Sequence, residues 1–562
     1  MRCKRHGIAL LLVLLLAPLP AAGQEHEHAH GPLAPEKLGT VHFTNTCEAA
    51  VQVPFDRAVA FLHSFEFGPA TDAFVAVANA DPGCGIAYWG VALAAWGNPF
   101  AAGQKLPAQV QRGQEAVDLA QRAGARSDRE RGFVAAVAEL YKDAENRDQR
   151  TRVVAYRDAM AGLAARFPED MEASIFYALA LAQAVPPTDK TYADLLKAGS
   201  ILEPLFAKYP EHPGLAHYII HAYDVPPLAS HALEAARRYA QIAPSAPHAL
   251  HMPSHTFTRL GYWQESIDTN IASAACARRE GATGEELHAS DYEMYAYLQT
   301  GQDEAARRLL DSLPEIASRM NDKAVASAAP AMAGSFAMAA IPARWALERR
   351  DWGEAAKLEP KASSFGYAEA TTWFARGLGA AHTGDAATAG AAVAALERIR
   401  DRFSASGESY WAGQVDIAGR GVAAWVALAE GRREEALAAM RAAVELEDGT
   451  EKSAMTPGPL APARELLGEM LLVLQQPSLA LAEFAATLKK EPDRFRALAG
   501  AARAAAQAGD RDAASKYYAR LISNCGHADR PGRPELAEAR RFTDEAKRPA
   551  SLEIGAPPGP RP

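Results

Sequence analysis

A chain of 562 residues, 49% hydrophobic and 23% charged, has the composition of a globular protein and is too long for a single compact core. Several domains or a repeat array are therefore expected. The formal net charge of −9 supplies no global basic surface, which argues against nucleic acid as a general partner.

The chain opens on "MRCKRHGIALLLVLLLAPLPAAGQE", in which Arg2, Lys4 and Arg5 precede an apolar run and Ala21, Ala22 and Gly23 follow it. This is the layout of a secretory signal peptide over residues 1–23, cut after Gly23. The run is shorter than the ~20 residues a spanning helix needs, and no later segment fills that role, so no membrane span is expected. The mature chain is expected in the periplasm or outside the cell. Residues 24–45 begin with "QEHEHAH", and His26, His28 and His30 read as part of a flexible leader that could also pick up metal ions. Export makes disulfides possible among Cys47, Cys84, Cys276 and Cys525, which allow three complete pairings.

From residue 46 the pattern is helical. "FDRAVAFLHSFEFGPATDAFVAVANADP" supplies Ala58, Phe61, Ala70, Phe74 and Pro82 at spacings that resemble those by which tetratricopeptide repeats pack one helix on its partner. "RLGYWQESIDTN" (Gly261, Ser266), "LQTGQDEAARRLLDSLPE" (Gly301, Ala306) and "AEGRREEALAAMRAAVE" (Gly431, Ala436) read as turns followed by second helices. Ala480, Phe484 and Leu488 recur 34 residues on as Ala514, Tyr518 and Ile522, the period of tetratricopeptide (TPR) repeats. The expected fold is an all-α, TPR-type helical-repeat solenoid in two repeat sets. The N-terminal set covers 46–323 and the C-terminal set 346–540. An irregular Ala/Pro-rich connection at 324–345 separates them, and 541–562 form a disordered tail. "EDGTEKSAMTPGPLAP" is a further break, since its prolines oppose a continuous helix. In an antiparallel hairpin the start of the first helix lies beside the end of the second. Cys47 and Cys84 flank the first repeat in that way and rank first as a pair. Cys276 and Cys525 are expected to be free and buried.

Of 16 histidines, eight fall between His212 and His288, where an even spread would place about two. His217, His221 and Asp224 share one helical stripe, as do His248, His251, His255 and Arg259. Ile220 and Tyr223, and Ser254 and Phe257, lie to the side of these stripes, where repeat packing is expected. "HASDYEMYAYLQTG" would present His288 and Asp291 with the same orientation. Neutral imidazoles ligate zinc, copper or iron, and carboxylates such as Asp224 and Asp291 can ligate directly or hold a histidine tautomer. The expected metal set is His217, His221, Asp224, His248, His251, His255, His288 and Asp291. Arg259, Tyr223 and His63 are further ligand-binding candidates. Pro253 either kinks the second His-bearing helix or sets its start. "HYIIH" lacks the glutamate of HExxH metalloproteases, and no GxSxG elbow, P-loop or GxGxxG after a strand is present.

In the TPR family, first helices line a concave groove, and the resemblance implies that both histidine stripes face it. "GTVHFTNTC", "FDRAVAFLHSFEF", "DPGCGIAYWGVAL", "HYIIHA", "HALHMPSHTFTRLG" and "MTPGPLAPARELLGEMLL" together resemble a family of large secreted bacterial TPR proteins. That resemblance spans residues 39 to about 525 and implies fold and export, without a known activity. Where relatives carry an acidic residue after HYxIHA, this chain has Asp224 one position beyond Tyr223. The expected function is an exported repeat protein with a transition-metal site in its groove. The alternatives are a metal-free scaffold for a peptide or protein partner and a metal-dependent enzyme.

Overall fold

The computed structural model of the chain describes residues 36–320, 328–329, 332–363 and 365–547. The expected signal peptide and the His26–His30 stretch lie outside them. Every regular element among the described residues is a helix, and consecutive helices pair antiparallel into an all-α, TPR-type solenoid within the unit that begins at Lys37. Among the described residues no helix is long and apolar enough to cross a membrane.

The first hairpin shows why the sequence folds this way. Gln52–His63 and Phe67–Ala80 meet through Ala58 and Ala70, both fully buried, and the missing bulk lets the two backbones approach. Phe74 then fills the space under Gly90 of the next helix, Gly85–Trp96, where an added Cβ would lie 2.4 Å from the ring. Cys47 and Cys84 bracket this hairpin and are joined by a disulfide with 4.9 Å between their Cα atoms. Cys276 and Cys525 are free and buried. The same small and aromatic positions are buried further along at Ala306, Ala436, Ala480, Phe484, Ala514 and Tyr518. Gly261 and Gly301 end their helices in the left-handed region, at φ +73° and +69°, as a tight reversal requires.

Three boundaries differ from the sequence expectation. The leader does not extend to residue 45, because Leu38 and Phe43 are core residues. The Phe43 ring sits 5.1–5.4 Å from those of Phe55, Trp89 and Phe133. The connection at 324–345 is helical from Ala333 onward, in a helix that reaches Arg349 and carries Pro342 inside it. The last helix, Pro534–Lys547, runs past residue 540, anchored at its start by Glu535 against Arg496 and by Arg533 against Asp303.

One large apolar cluster runs from Leu38 to Ala328 and another from Ala329 to Ala504. The array also folds back on itself. The helix Thr283–Thr300 packs on Phe495–Gln507, with Gln299 accepting from Phe495 N and from Asn524 Nδ2. The irregular segment 449–462 crosses to the N-terminal repeats, where Glu451 N donates to Pro187 O and the Glu451 carboxylate accepts from Lys190 and Tyr192.

A candidate metal centre built from two histidine triads

Four helical pieces bring the histidines together. Pro213 opens the helix that carries His217 and His221. Pro247 opens a short helix with His248 and His251, and Pro253 opens the next, which carries His255. Met252 keeps helical dihedrals between these two, so Pro253 starts a new piece without reversing the chain. Thr283–Thr300 supplies His288.

The result is two adjacent triads. His217, His221 and His248 place ligand atoms within 4.8 Å of one another, and so do His251, His255 and His288. The His248 and His251 rings are 6.1 Å apart, as are those of His221 and His255. All six are at most 6% exposed, so the groove wall on which the TPR resemblance places them is covered. The cover has two parts. The segment 449–462 lies across this part of the array, held by Tyr292 Oη donating to Ala454 O at 2.9 Å and to Thr456 O at 3.2 Å. Phe65 closes the other side, its ring 4.3 Å from His217 and 5.6 Å from both His221 and His248. It does so from the left-handed region at φ 57°, a conformation costing a non-glycine residue about 1–3 kcal/mol.

Hydrogen bonds to the outer nitrogens decide what the inner ones can do. Asn270 Nδ2 donates to Ser266 O at 2.7 Å, so its carbonyl oxygen faces His251 and accepts from Nδ1 at 2.7 Å. Asp224 Oδ2 accepts from His255 Nδ1 at 2.9 Å, and His63 O accepts from His217 Nδ1 at 2.6 Å. With these protons committed, Nε2 of each ring is a bare lone pair. His251 Nε2 and His255 Nε2 face each other at 3.1 Å, close to the ~3.3 Å that separates two nitrogens on one tetrahedral ion with 2.0–2.1 Å bonds. In the other triad, His217 Nε2, His221 Nε2 and both His248 ring nitrogens are buried without a hydrogen-bond partner.

Burial, reinforced by the neighbouring histidines, keeps these rings neutral. It pushes His217 and His288 down to about 3 and His221, His248 and His251 well below the ordinary imidazole range. Neutral imidazole is the ligating form, and three nitrogen ligands leave a coordination position open.

The carboxylates expected as ligands have other duties. Asp224 lies behind His255 and receives Arg259 Nε at 2.9 Å, with Lys452 Nζ 3.9 Å away. Burial works against its ionisation, but Lys452, Arg259 and His255 hold it well below the usual carboxylate range. Asp291 belongs to neither triad. It takes Arg344 Nε at 2.7 Å and Nη2 at 3.2 Å, and Arg344 in turn holds Thr456 and Gly458 of the covering segment. Tyr223 points away, donating to Glu203 and lying against His231. His63 forms a separate buried cluster, with Glu172 bridging His63 Nε2 at 2.9 Å and His212 Nε2 at 3.0 Å. Phe65, Asn270, Tyr292 and Lys452 complete the surroundings. Asn270 and Lys452 had no periodic signal, Tyr292 sits one residue past Asp291, and Phe65 stood in the quoted "FLHSFEF" without a role.

No family model matches the chain, and no curated protein does. Among solved structures it is similar to a monomeric mutant of IFIT1 with Gppp-AAAA, at 10% identity and a TM-score of 0.35, covering 78% of this chain and 90% of that one. The human IFIT1 dimer with m7Gppp-AAAA gives the same figures. The human IFIT1 dimer with PPP-AAAA gives 9%, 0.34, 74% and 87%. A superposition this loose carries nothing about ligands.

Proposed function

We propose that this chain is an exported helical-repeat protein that binds transition metal ions through two adjacent three-histidine sites, His217/His221/His248 and His251/His255/His288. The observation that carries the reading is the opposed pair of Nε2 atoms of His251 and His255, whose other nitrogens are both engaged by acceptors. Two lone pairs facing each other inside a protein repel unless a proton or a cation lies between them, and a protonated, buried imidazole is costly. A metal-free scaffold would keep that repulsion without return. The all-nitrogen ligand set suits zinc, copper or iron and offers nothing to hard, oxygen-seeking calcium or magnesium. The signal-like N-terminus supports export, where such ions are captured from an oxidising medium.

Elemental analysis of the full chain, purified and then incubated separately with Zn(II), Cu(II) and Fe(II), tests this. About two equivalents are expected, with about one lost in His221→Ala/His248→Ala and about one in His251→Ala/His255→Ala, each still helical by circular dichroism. A wild-type chain that retains none of the three ions would refute the proposal.

A further inference from the structure

A cavity of about 360 Å³ opens between the N-terminal repeats and the segment 449–462, and of the six triad histidines His221 alone lines it. Its ring lies flat on Phe100, another lining residue, with centroids 3.9 Å apart, and its Nε2 is buried without a hydrogen-bond partner. An ion moving from solvent to the first triad through this cavity meets the Phe100–His221 stack last. Asp224 also lines the cavity, in front of His255 of the second triad, but that way is shut by charged hydrogen bonds. The carboxylate takes His255 Nδ1 and Arg259 Nε, each at 2.9 Å, with Lys452 Nζ 3.9 Å away. Displacing an aromatic ring costs less than breaking a buried ion pair.

The backbone around Phe100 is pinned, so the ring is the part that can move. Phe100 N donates to Asn98 Oδ1 at 2.8 Å, and Asn98 Nδ2 donates to Ala328 O at 2.9 Å. The charges on the wall do not bar a cation. Asp189, Asp224 and Glu451 line it against Arg150, Lys452 and Lys105, and burial pushes the Lys105 amine down to about 7. Behind His221, the second triad begins 6.1 Å on, where the His255 and His251 rings face those of His221 and His248.

We infer that the Phe100 ring is the gate through which transition metal ions enter and leave, the first triad exchanging with the medium and the second exchanging by way of the first. The inference deepens the metal-binding proposal and rests on it. Its test is stopped-flow zinc uptake by the full chain and zinc release to an excess of a chromophoric chelator, with bound zinc measured at equilibrium. One equivalent is expected to leave at least about tenfold faster than the other, and His251→Ala/His255→Ala to keep only the fast phase. Phe100→Ala should raise the uptake and release rates of that phase by a common factor of about ten and leave its Kd unchanged, with Phe100→Leu in between. A ring that merely positions His221 would instead give faster release, unchanged uptake and a weaker Kd, and that result overturns the gate. Equal rates for the two equivalents, or rates indifferent to both Phe100 substitutions, overturn it too. A folded wild-type chain that takes up no metal overturns the metal-binding proposal itself.

Discussion

Asp224 carries more of the site than its place outside both triads suggests. It orients His255, neutralises Arg259 and faces Lys452 from the covering segment, so one carboxylate connects a triad histidine, a helix and a loop. Asp224→Ala is expected to cost about 3–5 kcal/mol, because Arg259 is 5% exposed and would lose its hydrogen-bonded carboxylate partner. It should also weaken metal binding at the second triad about 10–100-fold, since His255 loses the acceptor that holds its tautomer. Denaturant unfolding and a metal titration read the two effects separately. Asp224→Ala/Arg259→Ala should recover part of the stability and none of the affinity. The sequence placed Asp224 on the stripe it occupies, and holding a histidine tautomer was one of two roles open to it there. Asp291 had the same kind of signal and lies elsewhere, because Arg344, fifty-three positions away, offers it two hydrogen bonds.

Among the elements, the first hairpin and the last helix are fastened by different means. The disulfide ties Cys47 to Cys84 around the hairpin on whose turn Phe65 stands. Cys47→Ser/Cys84→Ser is expected to lower stability by about 2–5 kcal/mol in chemical denaturation, by freeing the unfolded chain. The helix Pro534–Lys547 is held electrostatically at its start. Burial opposes ionisation of Glu535, but Arg496 overcomes this and pushes the carboxyl down to about 2. A depressed carboxyl contributes stability that is present above its unfolded value of about 4.3 and is lost as pH falls toward about 2. Hydrogen exchange across Pro534–Lys547 should therefore rise between those limits, while helices without such a carboxylate respond less. Protection of this helix unchanged down to pH 2 would show that apolar packing alone docks it. The first hairpin was legible from its spacing, whereas the last helix was not, since its second half falls in the expected tail. The packing of Phe43 ahead of the hairpin was not legible either, because one aromatic residue in a polar stretch has no period to reveal it.

The whole molecule departs from an open solenoid, since segment 449–462 and the contacts around Gln299 tie late repeats to early ones. Metal bound in the triads would then stabilise more than the helices that carry them. At an ion concentration about a hundred times its Kd, one site contributes about 2.7 kcal/mol. Chelation is expected to lower the unfolding midpoint and to raise hydrogen exchange both in Pro213–Leu260 and in 449–462. An effect confined to the histidine helices would mean that the covering segment is docked independently of the site.

The sequence by itself determined what is periodic and local: helical pairs with small residues at their crossings, turns at Gly261 and Gly301, and histidines three and four apart on shared stripes. Those features follow from 3.6 residues per turn and need no partner. Only the tertiary structure decided which lone pairs meet. That Nε2 of His251 faces Nε2 of His255, that Phe65 and the segment 449–462 bury the triads, and that Asp291 serves Arg344 all depend on contacts between distant parts of the chain. Such contacts are set by how whole faces pack, and a single sequence read along its length carries no periodic trace of them.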